Sequence, residues 1–448
     1  MIIDELARYA TEQTKAGLTS SVNHAAKRAL VDWFAALLPG TRVQPALTLM
    51  KSHADELGLG YSSLPGLRTT SFPGTAAWIN GSVSHAVEFD DIYRDAVYHP
   101  GCPTIAAALA VAEHTQASGK RLLEAITIGY EVSTRIGAAV QPSHYEFFHT
   151  TGTVGCFGAA AASAILASEA AGTTAHAMAT AATFASGLQQ AFRSDAMTKA
   201  LHAGHAAWVG VVAARGAANG MTGVPDILEG AAGFGAAMAK NPDWSIATDG
   251  LGVDFNIEKV TVKNHGCCGH TFAAIDALLR LCSEHNISIS DIEGLTVRTY
   301  QAAIEVAGIR NPKSAFECKF SIPYVISHAA KFGSVRLSAF DEERMWDPEV
   351  RELMSRITLL TDEGLTRQFP GRRAAKVEIR LRSGELLERY QPYRTGDPEE
   401  PLSDAQINDK FMELAEPVIG EGGARSLMSR LWSIDELTDV RQLHLAQL

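Results

Sequence analysis

Runs of basic residues are missing from this 448-residue sequence, and charge of either sign is scarce. Lys and Arg number 39 against 50 Asp and Glu, so the formal net charge is -11, and charged residues make up 20% of the chain. Because a nucleic acid or an anionic membrane surface requires a basic face, we expect neither as a partner. The length of 448 residues favours two domains, and the hydrophobic share of 46% indicates a large buried volume.

Long hydrophobic runs are also missing, and cysteine is sparse. The longest stretch of small apolar residues, Val154–Ala167, has 14 residues, whereas a membrane span needs roughly 20. The N-terminus carries Asp4 and Glu5 and has no apolar core, so we expect no secretory signal there. The six cysteines are scattered, apart from the adjacent Cys267 and Cys268, which predicts a reduced, cytoplasmic protein.

The motifs of the common cofactors are absent as well. No G-x-G-x-x-G signature opens a βαβ unit, no P-loop lysine occurs, and no cysteine spacing suits an iron–sulfur cluster. We therefore expect no nucleotide, flavin or cluster cofactor.

The first 240 residues consist largely of Ala-rich segments with the apolar periodicity of α-helices. Small side chains let helix axes approach closely, so we expect a compact bundle whose central helices are buried on all sides. The predicted helices are Ala25–Leu38, Pro103–Thr115, Leu122–Ala138, Thr153–Ala171, Ala175–Ala191 and Lys199–Asn219.

The pattern changes after about residue 258. Leu295–Tyr300 alternates as a strand does, Ile357–Thr361 is another strand candidate, and Ala375–Arg382 and Glu385–Tyr390 flank a Ser-Gly turn typical of a hairpin. We predict a mainly α protein, in which residues 1–257 form a large helical domain. A smaller α+β domain of residues 258–394 is inserted, and C-terminal helices in residues 395–448 return to the helical domain.

Titratable side chains concentrate in four segments of otherwise apolar sequence. In the first segment, His85 and His99 flank Glu88, Asp90 and Asp91. Carboxylates close to histidines are suited to general acid–base chemistry. The alternative is that Asp90 or Asp91 only caps a helix.

The second and third segments each join a histidine to an apolar helix. His149 precedes a Thr/Gly stretch, where the backbone N–H groups of a helix start favour an anion. Capping of that helix by the threonines is the alternative. In the third segment, Lys199 and His202 are three residues apart and share a helical face, with Arg193 just upstream. Because the surrounding sequence is apolar, we favour a functional role for this pair.

The fourth segment contains Lys263, His265, Cys267, Cys268 and His270, interrupted by glycines. One interpretation is a zinc site, although the spacing matches none of the usual paired ligand arrangements. The other is a loop at the domain junction that brings the lysine, a cysteine and a histidine over a ligand, since glycines permit close backbone approach.

In this order, the segments resemble the MmgE/PrpD family, which includes 2-methylcitrate dehydratase, cis-aconitate decarboxylase and iminodisuccinate epimerase. The resemblance spans most of the chain. The stretches that carry it are Ala76–Gly81, His85–Asp91, His99–Pro100, Gly129–Glu131, His149–Gly158, Thr198–Gly204, Thr222–Gly223, Lys263–His270 and Lys319–Tyr324.

The resemblance implies a large helical domain and a smaller α+β lid domain, usually in a homodimer, with the active site between the domains. It implies that the substrate is faced by His99, His149, Lys199, Lys263 and Tyr324, with Asp90 or Asp91 contributing from the acidic cluster. Decarboxylating members have a further histidine after the lysine of the fourth segment. Counting from Lys263 gives Cys268 at that place, with His270 two residues on, and both remain candidates.

The first segment departs from the family pattern H-x-x-D-F-D-D-T, because Glu88 replaces the first Asp and Ile92 replaces the Thr. Such changes alter groups that bind substrate, for which the further candidates are Glu88, Arg193, His202, Cys268 and His270. The expected substrate is a small di- or tricarboxylate.

The expected reaction is cofactor-independent dehydration by proton abstraction next to a carboxylate. Lys199, Lys263 and His149 would hold carboxylates and developing negative charge. His99 would be the base or proton donor, oriented by Asp90 or Asp91, and Tyr324 would donate a proton or anchor a carboxylate. The alternatives are an epimerase or a decarboxylase, a binding protein that has lost activity, and a zinc hydrolase.

Overall fold

The computed structural model describes residues 1–168, 170–192, 194 and 196–448. The chain forms two compact units, of which unit 1 comprises Met1–Thr261 and Ser403–Leu448, and unit 2 comprises Val262–Leu402. Helices predominate throughout the described residues, and this confirms the mainly α prediction.

Unit 1 is built from α-helices, with one two-stranded ribbon formed by β1 (Ser62–Leu64) and β2 (Thr69–Ser71). Its helices before unit 2 are α1 (Ile2–Ala16), α2 (Ser20–Gly40), α3 (Ala46–Ser52), α4 (Pro73–Ser84), α5 (Gly101–Thr115), α6 (Gly119–Ala139), α7 (Thr150–Thr153), α8 (Gly155–Ala167), α9 (Ala171–Ala182), α10 (Thr198–Ala218), α11 (Phe234–Met238) and α12 (Ser245–Thr248).

Unit 2 packs helices on a four-stranded sheet. Its helices are α13 (Phe272–His285), α14 (Gln301–Ala307), α15 (Ala315–Lys319), α16 (Ile322–Phe332), α17 (Glu342–Met345), α18 (Pro348–Ser355) and α19 (Glu363–Gln368). Its strands are β3 (Ile292–Thr299), β4 (Ile357–Thr361), β5 (Ala375–Leu381) and β6 (Leu386–Gln391), in the order β4-β3-β5-β6. The β3–β4 pair is parallel and the other two pairs are antiparallel, so the predicted strands and hairpin are confirmed.

After unit 2 the chain forms α20 (Asp404–Trp432), which packs against α2 in unit 1, and three short 3-10 helices follow it. Ser403 begins this helix with a capping box, since its hydroxyl accepts from the Gln406 N–H while the Gln406 side chain accepts from the Ser403 N–H. The helix breaks at Gly420, whose φ of 75° is the left-handed conformation that glycine tolerates best.

Small residues set the spacing of the central helices of unit 1. The helix α8 packs against α5, α6 and α10, and α6 crosses it where Gly129 meets Gly158. A Cβ on either glycine would lie 2.7 Å from the carbonyl oxygen of the other. The stretch Thr150–Ala167 has the length and mean hydropathy of a membrane span, but 89% of it is buried. Burial to this degree is typical of a core helix in a soluble protein.

Two of the predicted helix boundaries are wrong. The predicted helix Thr153–Ala171 ends at Ala167, and the predicted helix Ala175–Ala191 ends at Ala182. The chain after Ala182 pairs with another segment instead of continuing the helix, because the Gly187 carbonyl accepts from the His149 N–H at 2.9 Å and Phe148 bridges to Leu188. A tertiary contact thus overrides helix propensity in this segment.

Candidate active site

One carboxylate oxygen in unit 1 holds two imidazole rings. The chain leaves α4 at His85 and follows an irregular path to the start of α5, with Asp90 and His99 on that path. Asp90 Oδ2 lies 2.6 Å from His85 Nδ1 and 2.9 Å from His99 Nδ1. The side chains of His85 and Asp90 are buried, whereas that of His99 is 15% exposed.

These contacts determine which nitrogen of His99 is basic. Its Nδ1 atom faces two acceptors, the Asp90 carboxylate and the Asp91 carbonyl oxygen at 2.8 Å, so Nδ1 must carry a hydrogen. In the neutral ring the lone pair is therefore on Nε2, and a carboxylate stabilises the ring once Nε2 takes up a proton. This is the arrangement of a general base.

The Asp91 carboxylate is bound inside the helical bundle. Its Oδ2 accepts from the Tyr130 hydroxyl at 2.8 Å, and its Oδ1 accepts from the Gly101 N–H at 3.0 Å. Gly101 is the first residue of α5, and the N-cap of that helix is Pro100, so Asp91 contacts the helix start from a position ten residues earlier in the chain. Burial raises the pKa of Asp91 to about 7, and the hydrogen bond from Tyr130 opposes this increase.

A second imidazole pair lies beside the first. His149 Nδ1 and His202 Nδ1 are 2.9 Å apart, so one of the two nitrogens carries the shared hydrogen. The His149 ring stacks on His85 at 5.5 Å and lies 6.4 Å from the His99 ring. Burial is the main cause that holds the pKa of His149 well below its usual value, and neighbouring positive groups lower it further. The same causes lower the pKa of His202 to about 4. Both rings are therefore neutral near pH 7.

The third segment brings a cation to the same cluster. The Lys199 ammonium, in the first turn of α10, forms an ion pair with Glu88, and both side chains are largely buried. Glu88 has a φ of 64°, a left-handed conformation that is uncommon for residues other than glycine. Arg193 lies outside the described residues.

The fourth-segment candidates and Tyr324 all lie in unit 2. Lys263 is buried, and the Cys268 N–H donates to the Lys319 carbonyl at 2.9 Å. His270 Nδ1 lies 2.6 Å from the Tyr300 hydroxyl, and burial holds the pKa of His270 well below its usual value. Tyr324 is buried in the core of unit 2, where its hydroxyl donates to the Ala339 carbonyl.

The chain matches the family models of the MmgE/PrpD N-terminal domain at residues 4–247 and of the MmgE/PrpD C-terminal domain at residues 265–434. The chain belongs to the MmgE/PrpD family. It is 26% identical to the cis-aconitate decarboxylase-like protein oryM of Aspergillus oryzae, over 98% of this chain and 95% of that protein. It is also 26% identical to the cis-aconitate decarboxylase of Homo sapiens, over 94% of this chain and 89% of that protein. It is 26% identical to the 2-methylcitrate dehydratase of Cupriavidus necator, in a shorter match that covers 27% of this chain and 26% of that protein.

Most of the candidates from the MmgE/PrpD resemblance meet within unit 1. The described contacts link Asp90 to His99, His149 to His202, and Lys199 to Glu88. The cluster also contains His85, which the sequence singled out as part of the first segment but not as a site residue. Its sequence signal was its place beside the carboxylates of the first segment, five residues before Asp90. Lys263, Cys268, His270 and Tyr324 belong to unit 2.

One group of side chains in the described part of the chain could hold a metal ion. His85, Asp90 and His99 offer ligand atoms within 4.8 Å of one another, and two histidines with one carboxylate are a known metal-ligand set. Binding a cation through both Nδ1 atoms would require them to lose the hydrogens that they share with Asp90. In the fourth segment His265 bonds Asp276 and Cys267 bonds Thr271, so these two side chains have local partners.

Proposed function

We propose that this chain is a cofactor-independent lyase that removes a proton next to a carboxylate of a small di- or tricarboxylate. The single observation that carries the proposal is the hydrogen-bonding of His99, whose Nδ1 is engaged by Asp90 and by the Asp91 carbonyl, so that Nε2 is basic. Relatives named cis-aconitate decarboxylase and 2-methylcitrate dehydratase support the substrate class.

In the proposed reaction, the Lys199 ammonium moves from Glu88 to a substrate carboxylate and stabilises the negative charge that develops on it. His99 Nε2 takes the proton from the adjacent carbon, and Asp90 stabilises the resulting imidazolium. His149 contributes as a neutral hydrogen-bonding group, because its pKa is held low by burial. In dehydration, the electron pair left on carbon forms the double bond as the carbon–oxygen bond breaks, and the hydroxyl leaves as water with the proton that His99 took from carbon.

Decarboxylation is the second candidate, and the full-length similarity to proteins named as cis-aconitate decarboxylases favours it. In this reaction the carbon–carbon bond to the carboxylate breaks, and carbon dioxide leaves while the electron pair stays on carbon. The His99 imidazolium then supplies the proton that this carbon takes up. The two reactions use the same groups in opposite directions of proton transfer, so the same site can support either.

Several parts of the proposal rest on the family resemblance alone. These are the substrate contacts of Lys263, Cys268, His270 and Tyr324, the lid role of unit 2 and the homodimer, whereas the cytoplasmic location is proposed from the scattered cysteines. Each substrate contact is tested by a conservative substitution, of which Lys263→Met and Tyr324→Phe change the fewest atoms.

The test incubates the purified chain with a panel of di- and tricarboxylates in D₂O and follows the products by proton NMR. Dehydration produces an alkene, decarboxylation releases carbon dioxide, and epimerisation exchanges a carbon-bound proton for deuterium without either. His99→Ala and Lys199→Ala should each abolish turnover while the protein stays folded. Full activity of either variant would remove that residue from the mechanism.

His114→Gln provides the matched control, because His114 is an exposed histidine of α5 and should retain full activity. A folded wild-type chain that binds a polycarboxylate but converts none would favour the inactive binding protein over the lyase. Metal analysis of the same preparation distinguishes the zinc alternative, since a hydrolase of that type needs stoichiometric zinc.

A further inference from the structure

A buried lysine from the end of the chain lies against the backbone of the acidic segment. Lys410, on α20, is fully buried, and its Nζ lies 2.5 Å from Asp32 Oδ1 on α2. The same Nζ donates to the Phe89 carbonyl oxygen at 2.9 Å, and it lies 5.2 Å from the centre of the Phe89 ring. All three residues belong to unit 1.

Phe89 lies between two side chains of the candidate active site. On one side is Glu88, which pairs with Lys199, and on the other is Asp90, which holds His85 and His99. The Phe89 carbonyl belongs to the peptide unit that joins Phe89 to Asp90, so this hydrogen bond holds the backbone directly before Asp90 and one residue after Glu88. Lys410 is 321 residues further along the chain than Phe89, so this contact is made by a helix remote in the sequence.

The backbone of this segment needs such a restraint. Glu88 has a φ of 64°, and a non-glycine residue keeps a left-handed conformation only where its surroundings hold it there. The segment between α4 and α5 has no regular secondary structure beyond isolated bridges, so few backbone hydrogen bonds of its own define its path. A charged donor buried beneath it forms a stronger hydrogen bond than a neutral one.

An ion pair between α2 and α20 would by itself explain only the contact with Asp32. Ion pairs of this kind are replaceable by apolar groups in many proteins, because desolvation offsets their attraction. The donation to the Phe89 carbonyl is the part that an apolar replacement cannot supply. The two contributions of Lys410 can therefore be separated by substitution.

We propose that Lys410 is a positioning residue for the reaction: its ammonium holds the Phe89 carbonyl, and so holds Glu88 at Lys199 and Asp90 at the two histidines. The kinetic part of this inference rests on the proposed function. Lys410 itself does not touch the reacting atoms.

The test compares Asp32→Asn with the double variants Asp32→Asn/Lys410→Met and Asp32→Asn/Lys410→Gln. The single variant loses the ion pair but keeps the donor to Phe89, so its kcat should stay within a few-fold of wild type. The Met double variant loses the donor as well, so its kcat should fall at least tenfold further. Gln matches Met in length and restores an N–H donor, so it should recover part of the lost kcat.

A second measurement does not depend on activity. In protein with ¹³C-labelled histidine, the imidazole NMR signals of His85 and His99 should shift between Asp32→Asn and the Met double variant. In the Gln double variant these signals should return towards their positions in Asp32→Asn. The signals of the exposed His114 should not move. A wild-type chain that converts no substrate would defeat the proposed function, while these shifts would still decide the positioning role.

Three outcomes would overturn the positioning role. One is equal kcat in the single variant and the Met double variant, together with unchanged imidazole signals. Another is a loss of activity in Asp32→Asn as large as in the Met double variant, because the ion pair alone would then matter. The third is a Met double variant that fails to fold while Asp32→Asn folds, since Lys410 would then be a requirement for folding.

Discussion

Substitution of Asp91 by Asn should change how the stability of the chain depends on pH. Burial raises the pKa of Asp91 from the ordinary 3.8 to about 7 in the folded chain. The two values differ by about three pH units, and each unit corresponds to about 1.4 kcal/mol. Ionising Asp91 in the folded chain therefore costs about 4 kcal/mol more than in the unfolded chain.

The sign follows from which state binds the proton. Between about pH 4 and pH 7 the folded chain keeps Asp91 protonated while the unfolded chain has lost that proton. The contribution to the free energy of unfolding is thus complete below pH 4 and is lost as the pH rises through 7. From pH 5 to pH 8 the wild-type chain should lose about 3 kcal/mol through this one group.

Asp91→Asn removes this loss because an amide does not ionise. The new amide oxygen can still accept from the Gly101 N–H, and the amide nitrogen can donate to the Tyr130 oxygen. The difference in the free energy of unfolding, Asp91→Asn minus wild type, should therefore rise by about 3 kcal/mol between pH 5 and pH 8. Other groups with shifted pKa values, such as Glu113, are common to both proteins and cancel in the difference.

Urea unfolding followed by helical circular dichroism at several pH values measures this difference. Because the chain has two units, the coincidence of circular dichroism with tryptophan fluorescence must be checked before a single free energy is assigned. Asp55→Asn, at an exposed aspartate, should give a curve parallel to wild type. A parallel curve for Asp91→Asn would refute the reasoning, since it would mean that Asp91 ionises equally in both states.

Three further perturbations follow from contacts in unit 1. Glu88→Gln removes the charge that engages Lys199, so KM for a polycarboxylate should fall about fivefold in steady-state kinetics; an unchanged KM would show that Glu88 does not compete with substrate. His202→Ala leaves His149 Nδ1 without its partner and should lower kcat about tenfold, whereas an unchanged kcat would make the imidazole pair dispensable. Gly210→Ala places a Cβ against the backbone of α8 and should cost about 1–3 kcal/mol in urea unfolding. Gly172→Ala, with open space at its Cβ, is the control and should cost nothing, and equal effects of the two would rule out the clash.

Local patterns were sufficient to predict most of the secondary structure. The strands β3 to β6 follow alternation and a Ser-Gly turn, and α2, α5, α6 and α10 follow apolar periodicity. The prediction was wrong where the chain leaves α9, because the Gly187 carbonyl accepts from the His149 N–H. That hydrogen bond joins residues far apart in the sequence, and no local pattern records it.

The candidate site could be predicted in its parts but not in its pairings. Asp90, His99, His149 and Lys199 could be predicted because they are titratable side chains within apolar segments. Burying a charged group costs free energy, and such groups therefore concentrate at functional sites. The order of the segments then identified the family. The sequence did not indicate which carboxylate contacts His99, since Asp90 and Asp91 are neighbours with the same chemistry.

By itself, the sequence of this protein determined its mainly α composition, its family and the residue types available for proton transfer. These depend on periodicity, composition and motif order, which are properties of the chain alone. Only the tertiary structure decided that Asp90 orients His99 while Asp91 is held in the helical bundle by Tyr130, and that Lys410 lies beneath Phe89. Hydrogen-bond partners, burial and hence pKa values depend on distances between segments remote in the chain, and these distances exist only once the helices have packed.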